Sequence, residues 1–173
     1  MFQLKDINSD EYSDYYSSYL SLVDQEAALD HVLQDSLEST LSLLDDIDKP
    51  FSYKYAANKW SIGQVLMHDI DTERVFAYRA LRFMRKDASV LPGFDQDVFV
   101  DALGDLAFAK AELQQSIIAT RNATIQLFKN VTEESLKFKG NASGQVMTAR
   151  VIPFLIAGHN SHHEKVIRER YLT

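Results

Sequence analysis

Three prolines and six glycines in 173 residues leave this chain few places to turn. Proline removes a backbone donor and glycine favours turns, so their positions mark where helical periodicity has to stop. Pro50, Pro92-Gly93 and the stretch from Gly140 to Gly144 divide the sequence into four long pieces. Each piece carries apolar or aromatic residues three or four apart, the rhythm of one helix face. In the first, residues 12–46, Tyr12, Tyr15, Tyr16, Tyr19 and Val23 are followed by Leu33, Leu37, Leu41 and Leu44, with an interruption near Asp24. The second, 61–86, starts at Ser61 with Gln64 three residues on, a capping-box pattern that satisfies the free N–H groups of a helix start. The third carries Phe99, Ala102, Leu106, Ala109, Leu113, Ile117, Thr120, Thr124 and Leu127 at helical spacing. The fourth, 148–171, has Pro153 in its first turn or at a bend. Together they predict an all-α chain, a four-helix bundle in a single domain over 1–173. Alternation at Phe51, Tyr53 and Tyr55, and the mixture over 136–146, suggest short extended segments in the linkers.

Composition narrows the chemistry. Without cysteine the chain has no disulfide, thiolate metal site or catalytic thiol of its own, so any metal is held by His, Asp, Glu or water. A balance of 18 Lys+Arg against 25 Asp+Glu, net −7, opposes a protein that tracks a nucleic-acid backbone. No apolar run approaches the ~20 residues of a membrane span. The opening MFQLKDINSDEYSDYY does not have the cationic and apolar regions of a secretion signal. A soluble cytoplasmic protein, with neither nucleic acid nor membrane as partner, is the expectation.

The histidines are the candidate site. His159 and His163 are four apart in AGHNSHHEK, so on a helix they project from one face and can share an ion. The same spacing also occurs in ordinary surface pairs. His68, in QVLMHDIDTE, is by itself as readily a core histidine as a ligand. A pair nevertheless needs a third ligand from another helix to make an open site, which keeps one position for water or substrate. His162 is an alternative to His163, or a neighbouring proton donor, and His31 lies among acids as a solvated residue. Asn160 stands where the zincin helix His-Glu-x-x-His has its base, which argues against that protease mechanism. Asp69, Asp71, Glu73 and Glu164 are the candidate bases, and Asp71 or Thr72 is close enough along the helix to orient His68. Trp60, Phe83, Phe94 and the Tyr12 to Tyr19 stripe either line a pocket or, more in keeping with their spacing, fill the core. Arg79, Arg82 and Arg85 either recognise an anion or form surface ion pairs.

The stretches YKYAANKWSIGQVLMHDIDTERVFAYRALRFMRKD, LPGFDQD and IAGHNSHHEKVIRERY resemble the DinB-like superfamily of damage-inducible and YfiT-type proteins. The resemblance extends over about 12–171 and is most specific in KWS, in the His68 helix with Glu73 and Arg79, and in the terminal GHxxHH. It implies an up-down-down-up four-helix bundle, often a homodimer, with a divalent metal (nickel, zinc or iron) on His68, His159 and His163. It further implies a metal-dependent hydrolase, or a transferase that uses a low-molecular-weight thiol, acting on a small-molecule substrate. A non-catalytic metal-binding or dimerising bundle is the alternative. Asn160 departs from the glutamate that many members carry after the first paired histidine.

Overall fold

The computed structural model describes residues 2–104 and 108–173. An N-terminal arm of three 3-10 turns (Leu4–Asp6, Ser9–Glu11 and Asp14–Tyr16) leads into α1 (Ser17–Leu20) and then α2 (Val32–Asp46). After a linker come α3 (Ile62–Met84), β1 (Val90–Leu91), α4 (Gln96–Leu103) and α5 (Lys110–Leu127). A short α6 (Glu133–Leu136), the strands β2 (Lys139–Ala142) and β3 (Gln145–Thr148), and α7 (Ile152–Arg170) complete the described chain. The chain is mostly helical, and α2, α3, α5 and α7 pack on one another pairwise: α3 against α5 and α7, α2 against α7 and α5.

Two apolar clusters divide these helices lengthwise. One takes Val32 and Leu33 of α2, Phe76 to Met84 of α3, and Ile152 to Ala157 of α7. The other takes Leu37 to Leu44 of α2, Ile62 to Ile70 of α3, Leu113 and Ile117 of α5, and Ile167 and Tyr171. Where one cluster gives way to the other, α3 and α7 carry the buried polar residues His68, Asp69, Glu73, His159 and Asn160. The site is therefore a polar layer held between two apolar ones.

Three expectations are corrected. The stretch 12–46 is several elements, because Ser13 caps a 3-10 turn by accepting from the N–H of Tyr15 and the chain turns again before α2. The third stripe is two helices, α4 ending at Gly104 in a left-handed conformation (φ 57°) before α5 begins; Leu106 lies outside the described residues. Phe51, Tyr53 and Tyr55 form no strand. They pack on the second cluster, while the carbonyls of Tyr53 and Phe51 accept from the N–H groups of Ile62 and Gly63 and so help to cap α3. Extended structure does form over part of 136–146: β2 and β3 pair antiparallel, and β1 joins β2 in parallel with Val90 opposite Asn141. A small three-stranded sheet thus accompanies the helices. No helix among the described residues is long and apolar enough to cross a membrane.

Candidate metal centre

Sequence signals place each histidine. The Ser61 hydroxyl accepts from the N–H of Gln64 while the Gln64 side chain accepts from the N–H of Ser61, which fixes the start of α3 and the position of His68. Pro153 sits in the first turn of α7, where its missing N–H costs no bond. Gly158 lets α7 approach the N-terminal arm: a Cβ there would lie 2.2 Å from the carbonyl oxygen of Tyr19. His159 follows directly, and its ring meets that of Tyr19 edge-on at 5.3 Å.

The ligand atoms of His68, His159 and His163 all lie within 4.8 Å of one another, and Nε2 of His68 is 3.1 Å from Nε2 of His159. Ligands about 2.05 Å from an ion in a tetrahedron are about 3.3 Å apart, so this spacing suits a shared metal. Burial, reinforced by repulsion from neighbouring histidines, pushes all three imidazoles down to about 3; the Asp69 carboxylate opposes this at His163. They are neutral at pH 7, the form that binds metal. Oδ1 of Asp69 lies 3.1 Å from Nδ1 of His159. This is where a binding imidazole finds an outer carboxylate, with Nδ1–H turned to the acid and Nε2 left as a lone pair. The N–H is not aligned on that oxygen, which has no hydrogen-bond partner among the described residues. With both Nε2 atoms unprotonated, their lone pairs would repel at 3.1 Å, and a cation between them would remove that repulsion. The donor set therefore fits a divalent ion, although the same spacing also allows one neutral ring to donate to the other.

His162 is exposed, its ring against those of Tyr19 and His163, and the convergent set contains His163 in its place. His31 is exposed beside Asp30. Thr72 Oγ1, and not Asp71, is the neighbour of His68 Nδ1, at 3.5 Å; Asp71 turns outward to Arg74. Trp60 packs against the His68 ring at 5.0 Å, whereas Phe83 is fully buried in the core.

A cleft of about 650 Å³ opens over His68 and His159, walled by Tyr15, Tyr16, Tyr19, Thr72, Phe76, Arg79 and Phe94. None of the four candidate bases lines it. Burial pushes the Asp69 carboxyl up to about 7, against the pull of His163, Asn160 and Arg121. Glu73 is held by Arg121, and Glu164 accepts from Ser39 Oγ and Thr40 Oγ1 across the α2–α7 contact. Of the arginines, Arg79 is buried, Arg82 pairs with Asp87, and Arg85 is exposed.

The buried Arg121, next to the site, escaped the sequence reading. Arg121 bonds through Nε to both Glu73 oxygens, through Nη1 to the carbonyl of Leu33, and through Nη2 to Oδ1 of Asn160. Its signal was a charge placed four residues after Ile117 in the apolar stripe of α5. This network also accounts for Asn160: an amide oxygen accepts from Arg121 without adding a second negative charge beside Glu73.

The sequence profile of the DinB superfamily matches residues 32–167, well over half of the chain. The chain belongs to the DinB superfamily. No curated protein matches it in sequence. Among solved structures it is similar to YfiT from Bacillus subtilis, described as a probable metal-dependent hydrolase with an unusual four-helix bundle topology. The similarity covers 94% of this chain and 90% of that one, with a TM-score of 0.67 and 14% identity. At that identity the likeness concerns the fold. The superfamily match includes all three convergent histidines, while the arm that carries Tyr15, Tyr16 and Tyr19 lies outside it.

Proposed function

We propose that this DinB-superfamily chain is a metal-dependent hydrolase of a small molecule bound in the cleft, with His68, His159 and His163 as the metal ligands. The observation that carries the reading is the convergence of three neutral imidazoles, two of which, His68 and His159, line an open cleft. The order of the two apolar clusters, reversed between α2 and α3 and again between α5 and α7, supports the up-down-down-up bundle of the family. A divalent ion on such a set supplies Lewis acidity and an activated water. The chain's own residues do the rest. The Asp69 carboxylate lies beside Nδ1 of His159, Thr72 neighbours Nδ1 of His68, and Trp60 packs on that ring. The tyrosine wall and Phe94 receive the apolar body of the substrate.

Purified protein is expected to carry one divalent ion per chain by elemental analysis, and the double substitution His68→Ala/His159→Ala to lose it. A panel of esters and amides should be turned over, with activity abolished by chelation and restored by metal. Absence of stoichiometric metal, or its retention in the double variant, sinks the site. Turnover only in the presence of a low-molecular-weight thiol moves the activity to thiol transfer, where the cosubstrate brings the sulfur that a cysteine-free chain does not have.

A further inference from the structure

Three arginines are buried: Arg79, Arg121 and Arg150. Arg121 meets the buried Glu73, and Arg150 meets the buried Glu11. Arg79, only 3% exposed, pairs with no carboxylate among the described residues. A guanidinium withdrawn from water keeps its charge, so leaving it without a counter-charge is costly. Its partners are neutral: Nη2 donates to Ser143 Oγ at 2.9 Å and to the Pro92 carbonyl at 3.5 Å, and the Tyr16 hydroxyl is a third neighbour. Five N–H donors outnumber these acceptors.

The position of the unmatched charge is informative. His68, Thr72, Phe76 and Arg79 fall at intervals of four, four and three on α3, so they share one face, and all four line the cleft. The Cα atoms of His68 and Arg79 are about 16 Å apart along the axis, and the gap between side chains is shorter because a long helical side chain leans toward the N-terminus. The guanidinium and the histidine cluster are thus two ends of one cavity, with Tyr16 and Phe94 among the walls between them.

We propose that Arg79 anchors a carboxylate of the substrate, so that the cleft takes a small apolar molecule bearing one carboxylate and presents its other end to the histidines. A carboxylate matches the planar fork of donors, and its single charge matches Arg79, the one Lys or Arg lining the cleft among the described residues. At the Arg79 end a phosphoryl dianion would find no second cationic side chain among the described residues and would meet Asp95 on the same wall.

The test titrates the metal-free full chain with 4-phenylbutanoate, 4-phenylbutanamide and 3-phenylpropylphosphonate, followed by calorimetry or NMR shifts. The acid is expected to bind on the order of 10- to 100-fold more tightly than the amide. That gap should close in Arg79→Gln and persist in part in Arg79→Lys. Equal binding of acid and amide to the unaltered protein, tighter binding of the phosphonate than the acid, or a gap that survives Arg79→Gln overturns the proposal. The acid–amide comparison on the unaltered chain holds even where a variant does not fold. Only the reaction at the far end rests on the hydrolase reading. Acid-selective binding without ester turnover would sink that reading and leave the anchor, whereas metal-dependent turnover with no acid preference in binding would do the reverse.

Discussion

Helix α3 presents buried polar residues to two different surroundings. Glu73 faces a closed network in which Arg121, Asn160 and the Leu33 carbonyl satisfy one another. His68 and Arg79 face an open cleft, where the histidine nitrogens converge and Arg79 pairs with no carboxylate among the described residues. Residue type and depth are similar on both sides, and completeness differs. Groups whose partners lie within the chain hold the fold, and under the proposed function the unmatched groups are where ligands bind.

The largest expected effect comes from opening the closed side. Arg121→Ala leaves Glu73 buried without its counter-charge and should lower unfolding free energy by about 3–5 kcal/mol in denaturant titrations. Arg79→Ala in the same assay should cost less than about 2 kcal/mol, since no buried carboxylate loses a partner. A reversal of that order breaks the comparison.

A second closed pair sharpens it through pH. Burial pushes the Glu11 carboxyl up, but bonds from Arg150, the Asn8 backbone and Thr148 outweigh it and bring it to about 2, below the ordinary 4.5. Because the folded value lies below the unfolded one, this stabilisation is complete above about pH 4.5 and is lost as pH falls toward 2. Roughly 2–3 kcal/mol should disappear over that window. Glu11→Gln should flatten the profile there, and an unchanged slope would refute the assignment.

The smallest effect belongs on the open side. Asp69→Asn keeps the size of the side chain and removes the charge beside His159 Nδ1. Metal affinity by competition with a chromophoric chelator should fall about 10- to 100-fold, with the metal-free fold intact by circular dichroism. An unaltered affinity would assign Asp69 to packing.

Much of this was legible in the chain itself. Ser61 with Gln64, Pro153, and the spacing of His159 and His163 are local signals whose physics is complete within a few residues, and the structure realises each of them. The tyrosine stripe of 12–19 misled because spacing of three and four also fits 3-10 turns, and it is packing against α7 that settles which forms. Alternation at Phe51, Tyr53 and Tyr55 reported burial correctly, but a strand needs a neighbour to bond and this linker bonds to the start of α3 instead. The partners of Asp69, Glu73 and Asn160 depend on which helices meet, and nothing in a helical period specifies that. Arg121 and Arg79 were readable as charges within apolar faces. That pattern announces burial but not whether a carboxylate waits opposite.

The N-terminal arm is pinned near one end by Glu11 and Arg150 and at the other by the contact of the Tyr19 backbone with Gly158. Its tyrosines wall a cleft whose floor belongs to the part of the chain shared with the superfamily. Part of the cleft wall thus comes from a stretch of sequence separate from the one that carries the histidines, and the two are joined at two fastening points. An arm of different composition, fastened at the same two points, could reshape what is admitted while leaving the histidines beneath it undisturbed.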